Sequence, residues 1–191
     1  MGKGRLEAFS DGVFAVIITI MVLELRVPQG SDMAALRPVF PVFLSYVLSF
    51  VNVGIYWNNH HHLLHAVHKV NGFILWANLH LLFWLSLVPF ITAWMGPNYQ
   101  LAIPVAVYGV VLLMSGIAYY ILERALIAHQ GADSALAAAV GRDFKGILSL
   151  AIYTVAVAIS FVNPRISILL YVAVAVMWFI PDRRIERAIS E

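Results

Sequence analysis

The chain has 191 residues, of which 62% are hydrophobic and only 12% charged, about half the charged share of an ordinary soluble domain. That balance excludes a soluble globular enzyme and points to an integral membrane protein. The net charge of +2 resides on basic residues gathered at segment ends, a pattern of membrane orientation rather than nucleic-acid binding, and the absence of cysteine excludes disulfides, thiolate metal sites and cysteine nucleophiles.

Six segments approach the roughly 20 apolar residues of a bilayer crossing: residues 7–25, 38–57, 72–94, 101–122, 146–162 and 166–180. They predict an all-α membrane protein with six transmembrane helices per subunit and one domain over residues 1–191, with turn chemistry at Val27-Pro28-Gln29-Gly30, Gly96-Pro97-Asn98 and Asn163-Pro164-Arg165. The first segment is interrupted by Ser10 and Asp11 and has no small-residue cleavage site, so it is expected to stay in the mature chain rather than act as a signal peptide.

That first segment is apolar all round in its membrane half, yet it opens with Arg5, Glu7, Ser10 and Asp11. An Asp or Arg at the centre of a spanning helix costs about 2.5–3.5 kcal/mol on insertion scales, so these groups need protein or water around them. On a helical wheel Arg5, Phe9, Gly12, Val16, Ile20 and Leu23 share one stripe with Thr19 at its edge, while Ser10 and Asp11 point elsewhere. One face is then free to line something narrow and apolar, with the hydroxyl and the acid turned into neighbouring helices; an ordinary buried helix of a bundle core is the competing reading.

The second segment carries Ser45, Ser49 and Asn52 along one stripe, expected to pack on other helices, and runs into His60, His61, His62, His65 and His68, five of the chain's seven histidines. His61, His65 and His68 share a helical face and form a weak candidate metal site, without an HExxH pattern or an acid inside the run; pH sensing and structural partnering of buried acids are the alternatives. Pro89 is expected to kink the third span, and Trp and Tyr near the span ends fit interfacial belts. Residues 123–145 read as a loop on the inner surface holding a short amphipathic helix over 135–140, and no phosphate-cradling glycine pattern occurs in it.

With the N-terminus inside, Lys3, Arg5, Lys69, Arg124, Arg142, Lys145, Arg183, Arg184 and Arg187 lie on the inner side and Arg26, Arg37 and Arg165 on the outer, nine of twelve inside. Both termini are therefore expected to be cytoplasmic, in a multi-pass protein of the cell membrane. No filter loop of the TVGYG kind, no arginine-ladder voltage sensor and no inverted repeat is present, so any pore must be built from whole helices.

The motif Arg5-x-x-x-Phe9-Ser10-Asp11, opening the first of six spans and followed by Gly12-Val13-Phe14-Ala15-Val16-Ile17-Ile18-Thr19, resembles the start of the transmembrane protein 175 family of potassium channels. The resemblance implies a channel and not an enzyme, with no cofactor, potassium as the permeant ion, the lipid bilayer as surroundings and, for a single six-span unit, a homotetramer. It implies a central pore lined by the first helix, with a hydrophobic gate of apolar rings at Val16, Ile20 and Leu23 and with Thr19 beside them. Val16 stands where Ile or Leu is usual, implying a slightly wider first ring or a narrowest point at Ile20. It further implies that Arg5, Ser10 and Asp11 lock the first helix to the next two through Trp57, His60 or His61, and Asn78. Two rivals stay open: a proton-coupled transporter or proton channel using Asp11, and a metal-binding membrane enzyme built on the histidine run.

Overall fold

The computed structural model describes residues 3–67, 69–131, 134–140 and 143–179. Arg142, Arg183, Arg184, Arg187 and His68, used above for orientation and for the metal alternative, lie outside them, as does Ile180 at the end of the sixth expected span. The described chain is all-helical: α1 (Lys3–Leu23), a 3-10 turn (Met33–Leu36), α2 (Phe40–His65), α3 (Gly72–Ser86), α4 (Val88–Met95), α5 (Ala102–Gln130), α6 (Ala135–Val140), α7 (Phe144–Ile159) and α8 (Pro164–Phe179).

Among the described residues, four stretches are long and apolar enough to cross a membrane: α1, α2, α3 with α4 taken together, and α5. The shorter apolar helix α7 and the described part of α8 have 16 residues each, about 24 Å at 1.5 Å per residue, against the ~30 Å hydrocarbon thickness. Local chemistry sets the boundaries. Asn71 caps α3 by accepting from the Ile74 amide at 2.9 Å, and Asp143 caps α7 by accepting from the Gly146 amide at 2.9 Å. Gly131, at φ +99°, ends α5 in a conformation open to glycine.

Three boundaries take a more definite form. The kink expected at Pro89 is a break: Pro89 donates no hydrogen bond and crowds the carbonyl four residues back, so the ladder stops at Leu87 and restarts in α4. Helix α2 runs past the apolar limit at Trp57, since the histidine run has no helix breaker and the helix continues to His65. The expected loop over 123–145 begins later: residues 123–130 extend α5, with Glu123, Ala125 and Leu126 buried, and only then does the short α6 follow.

The core lies where α5 packs on α3, α7 and α8, and α1 rests against α2, α3 and α4. Of the expected polar stripe on α2, Ser45 and Asn52 bond back to their own helix, to the carbonyls of Pro41 and Leu48. Ser49 reaches across, 2.7 Å from Thr92 Oγ1 and 3.0 Å from the Tyr108 hydroxyl. Thr92 already donates to the Val88 carbonyl at 2.6 Å, so Ser49 donates to Thr92 and Tyr108 donates to Ser49.

Gly109 is needed for a close approach. A Cβ there would overlap the Tyr171 hydroxyl and sit 2.8 Å from Val157 Cγ2, and Tyr171 is itself fixed by donating to the Val105 carbonyl at 3.1 Å. Gly109→Ala is expected to cost about 1–3 kcal/mol by overpacking. Gly54→Ala, where an added Cβ meets nothing within 4 Å, serves as the neutral comparison. Thermal melts of the purified variants check the contrast, and equal melting temperatures would contradict it.

Candidate pore helix and its supporting network

Helix α1 has two faces of different character. Leu6, Ser10, Phe14, Ile17 and Met21 recur every three or four residues and are buried against the neighbouring helices. The opposite stripe is exposed: Val16 is 54%, Ile20 42% and Leu23 81% accessible, and Phe9, Gly12 and Thr19 share that surface. A row of large apolar side chains is thus turned away from the chain's own core. The Thr19 hydroxyl donates to the Val16 carbonyl at 2.9 Å, which leaves its oxygen lone pairs directed outward as acceptors.

The polar residues at the start of α1 anchor the opposite face. Ser10, fully buried, donates to the Leu6 carbonyl at 2.8 Å and accepts from Asn78 Nδ2 of α3 at 3.0 Å. The Asn78 side-chain carbonyl lies 2.7 Å from His60 Nε2 of α2; an amide oxygen only accepts, so this hydrogen bond assigns the proton to Nε2. The His60 ring also meets Phe14 of α1, centroid to centroid at 5.6 Å. Three helices are joined by one chain of hydrogen bonds. On the side exposed to solvent or lipid, Trp57 Nε1 donates to Asp11 Oδ1 at 3.0 Å.

Of the residues named from the sequence, Ser10, Asn78 and His60 therefore meet, and Asp11 meets Trp57. His61 joins neither pair: its ring stacks on Trp57 at 6.2 Å and on His65 at 6.0 Å. Arg5 lies on the exposed stripe with Phe9 and has no side-chain hydrogen bond or ion pair among the described residues. Lys3 instead ties the start of α1 to the end of α2, donating to the His65 carbonyl at 3.3 Å and lying 3.5 Å from Glu7. Among the described residues no three His, Cys, Asp or Glu side chains converge as metal ligands.

Two features of the interior went unread in the sequence. The Ser49–Thr92–Tyr108 cluster joins α2, α4 and α5; its members stand in three separate apolar runs, and no spacing within one run shows that they meet. Glu123, 4% exposed and 3.6 Å from Arg124, was assigned to a loop; an acid four residues after Tyr119 with no intervening breaker was the signal that α5 continues.

A family model described as "Endosomal/lysosomal potassium channel TMEM175" matches residues 5–89, the part of the chain that holds the exposed stripe and the whole network. A potassium channel of Chryseobacterium sp. (strain P1-3) is 57% identical over 191 residues, 100% of both chains. The human endosomal/lysosomal proton channel TMEM175 is 41% identical over 81 residues, 36% of this chain and 16% of its own length. The crystal structure of a lysosomal potassium-selective channel TMEM175 homolog from Chamaesiphon minutus superposes with a TM-score of 0.80 at 29% identity, covering 92% of this chain and 95% of that one. With a full-length relative and a matching fold, the chain belongs to the TMEM175 family.

Proposed function

We propose that this protein is a potassium channel whose pore is lined by α1 from each of four copies, each copy crossing the membrane six times with both termini in the cytoplasm. The observation that carries the reading is the two-sidedness of α1: Ser10 is tied to α3 and Asp11 to α2 while Val16, Ile20 and Leu23 face out of the subunit. Around a symmetry axis that outward stripe becomes a column of apolar rings. The potassium and proton channels among its relatives support ion conduction rather than catalysis.

The chemistry of such a path follows from the side chains. Apolar rings give a permeating cation no oxygen in exchange for its hydration shell, so passage favours potassium, which is cheaper to dehydrate than sodium. Four Thr19 hydroxyls, with protons committed to the Val16 carbonyls, present lone pairs between the Val16 and Ile20 rings and return part of the lost hydration. Selectivity from this source is modest, and Ile20 is the hydrophobic gate.

Proton permeation is a second reading, favoured by the name of the human relative; proton flux that Asp11→Asn abolishes would support it over a pore without a relay acid.

Potassium efflux from liposomes holding the purified protein, driven by a proton ionophore, is expected to exceed sodium efflux under matched gradients; absence of flux with either ion would overturn the channel reading. In the same assay Thr19→Ala is expected to lower the potassium-to-sodium ratio more than the total flux, and an unchanged ratio would remove Thr19 from the ion path. Ile20→Asn is expected to raise leak by wetting the constriction. Asn78→Leu strips the partner from the buried His60 Nε2–H, which should cost about 1–3 kcal/mol, while Ser10 keeps its bond to the Leu6 carbonyl; its check is the melting temperature of the assembled protein beside that of the exposed variant Asn98→Leu.

A further inference from the structure

A groove of about 560 Å³ runs between α2 and α8, and no residue of the exposed α1 stripe lines it. Its walls include Leu44, Val47 and Val51 of α2 and Val172, Val176 and Phe179 of α8, apolar side chains along more than three turns of each helix. The volume falls within the ~300–1,000 Å³ usual for ligand sites, but the lining offers little to orient a polar molecule. It suits a hydrocarbon chain.

One end of the groove is chemically different. Phe40 and Pro41 open α2 there, three residues after Arg37, and Tyr99 contributes from the turn that follows α4. Ile168 brings in α8 one helical turn after Arg165. Arg37 and Arg165 are both exposed, and neither guanidinium has a hydrogen bond or ion pair among the described residues. Two of the three basic residues that the sequence assigns to the outer side thus stand three residues before a lining residue, Arg37 before Phe40 and Arg165 before Ile168, at the end that Tyr99 also lines, its hydroxyl accepting from Gln100 at 2.9 Å. Guanidinium groups match phosphate geometry, and tyrosines settle at headgroup depth.

We infer that the α2–α8 groove is a binding site for an anionic phospholipid of the outer leaflet, one acyl chain lying along Leu44 and Val176 and the headgroup phosphate held by Arg37 and Arg165. The inference rests on the six-crossing reading, which puts the starts of α2 and α8 at one surface. A lipid held there braces α8 against α2.

The test is native mass spectrometry of the purified full-length protein after exposure to equimolar dioleoylphosphatidylglycerol and dioleoylphosphatidylcholine. The wild type is expected to retain phosphatidylglycerol in preference. The Arg37→Gln/Arg165→Gln pair, both on the surface, should lower that preference about tenfold, the scale of one charge-assisted hydrogen bond. Leu44→Trp/Val176→Trp, at half-exposed positions, should lower retention of both lipids. Phosphatidylglycerol retention that neither pair changes overturns the site, and so does subunit cross-linking through Val176→Cys, which would place a second copy in the groove. The chain has no cysteine of its own, so labelling Arg37→Cys and Arg165→Cys in intact cells with a membrane-impermeant maleimide separates the two failures. Labelling of only one position breaks the six-crossing reading; labelling of both without lipid retention breaks the site alone.

Discussion

The hydrogen-bond chain from Ser10 through Asn78 to His60 is the constraint on which the arrangement of α1 depends. Buried polar groups in a membrane protein must find partners inside the protein, because hydrocarbon supplies none. Three polar side chains on three helices satisfy one another here, and that fixes the rotation of α1 about its own axis. Once Ser10 faces inward, helical geometry leaves Val16, Ile20 and Leu23 on the other side. The apolar stripe therefore needs no partner within the subunit to hold its direction.

The remainder of the bundle provides a rigid wall for that anchor. The break between α3 and α4 at Leu87 lets Thr92 meet Ser49, and Tyr108 completes a second buried polar cluster farther along α2. Asn78 lies on α3 before the break and Thr92 on α4 after it, so α2 is gripped at two levels, at His60 and at Ser49. The absence of a side chain at Gly109 permits the Tyr171 contact that draws α8 onto α5.

Much of this was legible in the residues. The stripe on α1 followed from 3.6-residue periodicity, and Ser10 and Asp11 stood out because polar groups in an apolar run need partners. Trp57 and Asn78 came from the family resemblance; their choice of Asp11 and Ser10 depends on the rotation of α2 and α3, which periodicity does not fix. Among adjacent histidines, a shift of one residue turns the ring by about 100°, so only packing distinguishes His60, inside, from His61, stacked on Trp57. The ends of α2 and α5 lie beyond the apolar limits because hydropathy falls where a helix leaves the apolar layer, whereas the helix itself ends only at a breaker or a cap.

The Tyr108–Ser49–Thr92 cluster has a fixed polarity. Each hydroxyl gives its proton to the next, and the last gives to the Val88 carbonyl, which has nothing to pass on. Proton hopping requires every member of a chain to accept at one end and release at the other, and this chain is closed at its carbonyl terminus. Hydroxyls spanning three helices in the subunit interior thus act as a one-way clasp, each proton committed to the next oxygen, that ties α2, α4 and α5 together.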